Sequence, residues 1–527
     1  MKVVKYGLRN SPNKLLIVLF IAINFFVAII SSITPLITGK FLDDLLSRPN
    51  MRVISQYIIV IISIFVIQMI VSFFIQIVTA YISSETSYRI VKKILNNLFV
   101  SSFDGIDTYK QNKITQEVTY DSQVISKFLL EIFSVIPSNV AIIILALVSL
   151  FKINLGITSY IVLSFVAYLI CLYLLKPIIY QRQFYLKTMQ SSFFGLIQEK
   201  IMNAKTINIF NAHEFIISKL NLFFKKYKKK LMDFQKISFL FYLGDSLFST
   251  ISLLVIFYLG GKLIIYQKIT IGDFTILLSY FNMLMNSSKF VSEITTKYTD
   301  AESSYNRIQE LNSIFQVKSM KQNKIIQLEE ILINNLAFRY DNTSEYILKN
   351  FSYRFVTGKI YCIRGFNGAG KTTLLELING MYNNYEGTIA YNDMLLAELN
   401  KQDIHERISS YLTQKPVIFS LDLKDNITLG KENILDLTYL ISKLNLLSKF
   451  NREFLELSGG ESQKASILRF FARDVNLYLL DEPTNQLDFV SKKVLIDYLQ
   501  NIKQRKIIII STHDPQVLEI ADEIIDL

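Results

Sequence analysis

From the N-terminus to about residue 300 the chain alternates long uncharged apolar runs with short charged breaks; beyond that point apolar and polar positions mix on a much finer scale. The first half contains stretches long enough to cross about 30 Å of hydrocarbon. They run from Leu15 to Thr38, Ile54 to Ser84, Ile132 to Phe151, Ile153 to Leu175, Ser238 to Gly261 and Phe274 to Ser288. Asp245 interrupts the fifth, and only Lys152 and a short turn separate the third from the fourth. An even number of spans puts both ends of this half on one side of a membrane.

The connections differ in length and charge. Those between the second and third spans (85–131) and between the fourth and fifth (176–236) are long, and both show helix-compatible periodicity with few Gly or Pro. They read as extensions of the membrane helices, reversing near Asp107 to Thr115 and Asn208 to Glu214. Lys2, Lys5, Arg9 and Lys14 precede the first span, Lys92 and Lys93 follow the second, and a lysine cluster occupies 225–230. The opposite connections are short and carry few cations. The positive-inside rule places the N-terminus, the long connections and the second half in the cytoplasm.

In the second half, short apolar runs end in polar residues. Ile360 to Ile363 precedes a glycine-rich loop, and a helix-like run, Leu374 to Ile378, follows that loop. Ser409 to Leu412 leads to Gln414, Leu477 to Leu480 to Asp481 and Glu482, and Ile507 to Ile510 to His513. Continuous apolar strands with polar carboxyl ends predict a parallel sheet in an α/β domain. The expected organisation is therefore an α-helical membrane domain with six transmembrane helices (1–310), a linker (311–324) and an α/β phosphate-loop NTPase domain (325–527).

Composition supports the membrane assignment. The 527 residues are 51% hydrophobic and only 19% charged, with a mean hydropathy of +0.33. A net charge of +12 would suggest nucleic acid in a soluble protein. Here the cations flank apolar spans, so anionic lipid headgroups are the expected partners, with no nucleic acid. Cys171 and Cys362 have no partners at metal-ligand spacing and read as small buried hydrophobes. Three histidines leave little scope for a His-based metal site.

The loop itself is Gly365, Phe366, Asn367, Gly368, Ala369, Gly370, Lys371, Thr372 and Thr373. This G-x-x-x-x-G-K-[ST] spacing lets backbone N–H groups turn around phosphate oxygens at a helix N-terminus. Lys371 supplies charge to the outer phosphates, and the Thr372 hydroxyl is placed for Mg²⁺. Adjacent strand residues point to opposite sides, so Asp481 is expected to face the metal while Glu482 faces an attacking water as general base. His513 is placed to contact the γ-phosphate. Ser458, Gly459 and Gly460 open a helical run and make a second anion cradle. Tyr340 ends an apolar run with an aromatic face.

These motifs, in this order, resemble the ATP-binding cassette family over nearly the whole chain. Gly365 to Thr373 is similar to its Walker A motif and Leu477 to Asp481 to Walker B, with Glu482 as the catalytic glutamate. The resemblance makes Tyr340 the adenine-stacking aromatic, Gln414 the Q-loop glutamine and a Mg²⁺ ligand beside Thr372 and Asp481, His513 the switch histidine and Asp488 part of the D-loop. Leu457, Ser458, Gly459, Gly460 and Glu461 resemble the signature sequence, where the family more often has Gln at position 461. It implies that this signature acts in trans, closing over ATP held by a second copy or a related half-transporter. Residues 107–121 and 208–214 resemble the two coupling regions. Asn485 and Gln486 depart from the family's usual small pair, and the short end after the last strand abbreviates its terminal helices.

Six spans fused to one cassette resemble an exporter half-transporter, with ATP and Mg²⁺ as cofactors. The expectation is ATP-driven export of a hydrophobic or amphipathic cargo, a peptide or bacteriocin-like compound among them, across a bacterial cytoplasmic membrane. The chain starts almost at its first span without an early Cys or His, so a peptide cargo is expected to leave uncleaved by this chain. Asp245, Asn282, Asn286, Lys289 and Glu293 are the polar residues expected along the path, since charge at membrane depth usually faces a cavity or a partner. A lipid flippase or a multidrug pump fits the same residues. A non-transport ATPase serving as sensor or gated channel is the alternative of another class.

Overall fold

Long apolar runs free of Gly and Pro clusters keep the helical hydrogen-bond ladder unbroken. Among the described residues of that part of the chain, the computed structural model shows eight helices: α1 (Lys2–Asn10), α2 (Lys14–Ser47), α3 (Met51–Val100), α4 (Gln111–Ile153), α5 (Leu155–Met202), α6 (Ala204–Ile209), α7 (His213–Ile265) and α8 (Ile271–Ile314). The structure describes residues 2–47, 49–100, 111–314, 327–340, 345–431, 437–447 and 458–527. With 50 residues, α3 is about 75 Å long, well over twice the hydrocarbon thickness. The chain divides into one unit of Met1–Ile94 and Thr115–Leu311 and a second of Leu95–Ile114 and Asn312–Leu527.

Among the described residues, five helices are long and apolar enough to cross a membrane: Lys14–Ser47, Met51–Phe99, Val118–Ile153, Leu155–Leu174 and His213–Ile265. The sixth expected span, 274–288, lies inside α8 but does not reach that apolarity. Its pattern gives the reason. Leu277, Tyr280, Phe281 and Leu284 are fully buried, while Asn282, Asn286, Lys289 and Glu293 face outward. A helix covered by its neighbours on one side and polar on the other averages out in any hydropathy window.

Local chemistry fixes the turns. Asn154 caps α5, its side chain accepting from the N–H of Gly156 and Ile157 at 3.0 and 3.3 Å. The chain reverses around α6, where Asn211 takes a left-handed conformation (φ 45°), and α7 packs along α5. Of the expected first reversal, Asp107 to Thr115, residues 107–110 fall outside the described residues, and 111–115 are the helical start of α4. Asp43 at the end of α2 accepts from Gly272 N at 2.8 Å and Thr270 Oγ1 at 2.7 Å, pinning the start of α8. There the two backbones meet so closely that a Cβ on Gly272 would lie 2.2 Å from the Gly39 carbonyl oxygen. Farther along, α8 is tied to α4 by Lys297–Glu131 at 3.0 Å and by Arg307, which grips the fully buried Asp121. Cys171 departs from expectation: it lies exposed on α5, among the exposed Ile170, Tyr173 and Leu174.

The second unit contains two sheets. Its elements are β1 (Glu330–Phe338), β2 (Leu348–Val356), β3 (Lys359–Arg364), α9 (Lys371–Ile378), β4 (Glu386–Tyr391), β5 (Met394–Leu395), the single turn α10 (Lys401–Asp403), β6 (Ser409–Leu412), α11 (Leu423–Thr428) and α12 (Thr438–Lys443). They continue with α13 (Gly459–Phe471), β7 (Leu477–Asp481), α14 (Phe489–Ile502), β8 (Ile507–Ser511), α15 (Pro515–Leu518) and β9 (Glu523–Asp526). An antiparallel sheet has the order β2-β1-β4-β5, and a parallel one β6-β7-β8-β3-β9. The central strands β7 and β8 are apolar up to their last residue because both faces are buried, whereas β6 starts with Ser409 and Ser410 and the edge strand β9 carries Glu523 and Asp526. Tyr361, Ile363, Leu477, Leu479, Ile507 and Ile509 pack on the side of the antiparallel sheet and α9. Their neighbours Ile360, Cys362, Tyr478, Leu480, Ile508 and Ile510 pack against α11, α13 and α14.

Candidate active site at the carboxyl edge of the parallel sheet

The loop between β3 and α9 is shaped by its glycines. Gly368 and Gly370 have φ of 90° and 96°, a region open to glycine at little cost. A Cβ on Gly370 would also sit 2.9 Å from Ile347 and Leu348. Phe366, Asn367 and Gly368 are exposed at the crest, whereas Lys371 and Thr373 are buried at the helix start. The Lys371 ammonium folds back into the loop, donating to Gly365 O at 2.8 Å, Phe366 O at 3.4 Å and His513 Nε2 at 2.8 Å.

Three strands bring the remaining groups together. Parallel pairing sets Asp481 of β7 opposite Ser511 of β8, and the Ser511 hydroxyl donates to Asp481 Oδ1. Thr372 Oγ1 donates to Asp481 Oδ2 at 2.7 Å. A hydroxyl and a buried carboxylate thus meet at one point, the hard-oxygen donor set that suits Mg²⁺. These two residues fit that ion and would hold it; when bound, it would neutralise phosphate charge. Gln414, the third expected ligand, follows β6 and is exposed.

Glu482 leaves the sheet in a left-handed conformation, φ 46°, its N–H held by Ser511 O at 2.9 Å. Such a backbone costs a non-glycine residue of the order of 1 kcal/mol. It turns the Glu482 carboxylate to 3.8 Å from His513 Nε2, with its side chain only 13% exposed. Burial pushes this carboxyl above the usual carboxylate range, and His513 and Lys371 partly offset the rise. A carboxylate desolvated in this way is a stronger base towards water.

The second anion cradle has a different structure. Ser458 caps α13: its N–H donates to Glu461 Oε2 at 2.8 Å, and the Glu461 N–H donates to Ser458 Oγ at 3.4 Å. This reciprocal capping box gives a physical role to the glutamate that departs from the family pattern. Ser458 and Gly459 are exposed, so the free N–H groups of the helix start are open to a ligand. Leu457 lies outside the described residues. Asp488 caps α14 through Ser491 and pairs with Lys464 of α13 at 2.8 Å. Lys464, first, and Ser491 hold the Asp488 carboxyl well below its ordinary range.

Tyr340 shares a hydrogen bond with Thr373 Oγ1 at 3.1 Å and packs edge-on against Phe338 and Tyr382. The structure therefore gathers Lys371, Thr372, Asp481, Glu482 and His513 into one cluster, with Tyr340 attached through Thr373. Ser511 and Lys464 went unnoticed in the sequence. Ser511 could have been found as the polar end of an all-isoleucine strand; nothing in the sequence pairs Lys464 with Asp488. In the other unit, Lys289 lies 3.1 Å from Asp245, so two of the expected path residues are in contact.

Comparison with known proteins agrees with this picture. Residues 17–288 match the model of the ABC transporter transmembrane region, and 348–485 that of the ABC transporter ATP-binding part. An ATP-dependent permease of Candida albicans is 26% identical over 348 residues, covering 62% of this chain and 50% of its own length. The chain thus accounts for half of that relative. The subtilin transport ATP-binding protein of Bacillus subtilis is 23% identical over 84% of this chain and 75% of its own. Among solved structures, a bacterial Atm1-family ABC exporter with ATP bound superposes with a TM-score of 0.83 at 16% identity, covering 98% of this chain and 94% of that one; this likeness shows the fold.

Proposed function

The chain belongs to the ABC transporter family, and from that premise we propose that it is an ATP-driven exporter of a hydrophobic or amphipathic cargo, working as a dimer of two identical chains. The observation that carries this reading is the cluster of Glu482, His513, Lys371 and the Thr372–Asp481 pair, built in the same chain as a bundle of apolar helices. A buried base beside a phosphate loop supports turnover of ATP rather than mere binding. The exposed start of α13 supports the dimer, since Ser458 and Gly459 hold an anion cradle open to a second chain.

In this mechanism ATP draws two cassettes together by contacts that exist only in the closed state. Closure turns the helices outward, and hydrolysis through Glu482 resets them. A relative named for subtilin transport supports a peptide among the possible cargoes. The proposed location is a bacterial cytoplasmic membrane, with both termini and the cassette inside, as the lysine distribution indicates.

The test uses the full chain in inside-out vesicles. ATP-driven uptake of an apolar fluorescent peptide is expected, and Glu482→Gln should abolish both uptake and hydrolysis. Hydrolysis by the unmodified protein without uptake of any probe would favour a sensor or channel ATPase instead.

A further inference from the structure

Three helices of the membrane unit bring a charged cluster together away from the ATP site. Tyr168 of α5 donates its hydroxyl to Asp245 Oδ1 of α7. Lys289 of α8 lies 3.1 Å from Asp245 Oδ2. Counted from the outer ends of their helices, Tyr168, Asp245 and Lys289 lie about 20, 30 and 27 Å deep, at 1.5 Å per residue. By these depths the cluster lies towards the cytoplasmic ends of the expected spans, where charge at membrane depth is costly unless paired.

The two charges are not equally available. The Asp245 side chain is 13% exposed and both its oxygens are engaged; that of Lys289 is 48% exposed. An ammonium has three donors, and one contact to Asp245 leaves two directed outward. Lys289 also belongs to a continuous polar stripe. Thr275, Ser279, Asn282, Asn286, Lys289 and Glu293 recur at spacings of three and four, and each is partly or fully exposed. Elsewhere on the helix Leu277, Tyr280, Phe281 and Leu284 are buried, together with Ser287 and Ser288. A long ligand lying along it meets neutral hydrogen-bonding groups first and then one cation.

We propose that Lys289, held in place by Asp245 and Tyr168, recognises an anionic group on the cargo, so that the transported class is amphipathic molecules with a carboxylate or similar anion at one end. This rests on the exporter reading and adds a head-group preference to it. Asp245 acts as a positioning residue. It holds the ammonium in place at 3.1 Å, where an unpaired lysine side chain would snorkel towards water. A cationic cargo would have to displace Lys289 from a carboxylate that is already covered, which the exposures disfavour.

The experiment measures ATPase stimulation of the full chain in lipid nanodiscs by three probes. They are an N-acetylated apolar hexapeptide with a free C-terminal carboxylate, its C-terminal amide, and that amide with a free N-terminal amine. The carboxylate peptide is expected to reach half-stimulation at a concentration about tenfold lower than the amide, the scale of one charge-assisted hydrogen bond. Lys289→Gln should erase that difference by weakening only the carboxylate probe, and Lys289→Arg should keep it. Asp245→Asn should lower the preference. Equal potency of carboxylate and amide, a preference for the amine, or no response to any probe would overturn the assignment. Uptake of the same probes into inside-out vesicles separates the two ideas. Equal uptake of all three leaves the exporter and removes the head-group preference, whereas ATP turnover with no uptake removes the exporter.

Discussion

Thr372 Oγ1 and Asp481 Oδ2 lie 2.7 Å apart, joining the first turn of the helix after the phosphate loop to the end of β7, two strands away from β3 in the sheet. The pair comes from positions more than a hundred residues apart in sequence, and its second carboxylate oxygen is fixed by Ser511. Thr372→Val keeps the shape and removes the hydroxyl. It is expected to cut Mg²⁺-dependent ATP hydrolysis by roughly 10²-fold, about 2.7 kcal/mol of barrier. The Mg²⁺ concentration for half-maximal activity should rise with it. Unchanged metal dependence in steady-state assays would remove Thr372 from the metal site.

Glu482 should show its burial in the pH profile. Its carboxyl titrates above an ordinary glutamate, for which the usual value is about 4.3. A base works only when deprotonated, so kcat is lost as pH falls through the raised value, earlier than an unperturbed carboxylate would allow. Glu482→Gln should lower kcat by about 10²- to 10⁴-fold and leave a residual rate without that acid limb. A wild-type profile flat down to pH 4.5 would contradict the assignment.

The parts of this site legible in the sequence are those that repeat a local pattern. The phosphate loop is one contiguous stretch, and the four apolar strands announce their buried positions residue by residue. Asp481 and Glu482 follow directly from a strand's end. Contacts between distant segments left no such trace: Ser511 on Asp481, Lys464 on Asp488 and Lys289 on Asp245 each depend on how elements dock. The sixth span was legible as a helix although α8 is too polar to stand out as a membrane segment, because its buried face is kept apolar by its neighbours. Cys171 misled because an apolar environment in sequence says nothing about which side of a helix faces outward.

The capping box at α13 predicts a graded response at Glu461. Glu461→Gln retains an oxygen that can accept from the Ser458 N–H, so the thermal stability of the protein should change little. Glu461→Ala removes that acceptor and should cost about 1 kcal/mol, read as a lower melting temperature of the cassette. Equal stability of the two variants in calorimetry would show that the box contributes nothing.

Acid should loosen the loop that ends at Asp488. Its carboxyl is held low chiefly by Lys464, so the stabilisation from this contact is fully present above the ordinary aspartate value of about 3.9 and is lost as pH falls towards the depressed one. Lys464→Met removes the partner and should bring the acid sensitivity of ATP-dependent dimerisation up to higher pH. A variant with the wild-type pH dependence in crosslinking assays would place the control elsewhere.

Gly39 and Gly272 predict the sharpest steric effect in the membrane unit. A Cβ on Gly272 would meet the Gly39 carbonyl oxygen at 2.2 Å and the Asp43 carboxylate at 2.4 Å; one on Gly39 would meet Ile276 at 2.4 Å and the Gly272 carbonyl oxygen at 2.7 Å. The obstacle at Gly272 includes backbone, which cannot rotate aside, so α8 must move away from α2. That shift would also break the Asp43 bonds to Gly272 N and Thr270 Oγ1, which fix where α8 begins. Gly272→Val should therefore destabilise the folded protein by at least the 1–3 kcal/mol typical of overpacking, with Gly39→Ala milder because its backbone obstacle stands at 2.7 Å rather than 2.2 Å. Thermal unfolding in detergent, followed by tyrosine fluorescence, tests the order. If Gly39→Ala proved the more damaging of the two, the close approach of the backbones would not be what limits this crossing.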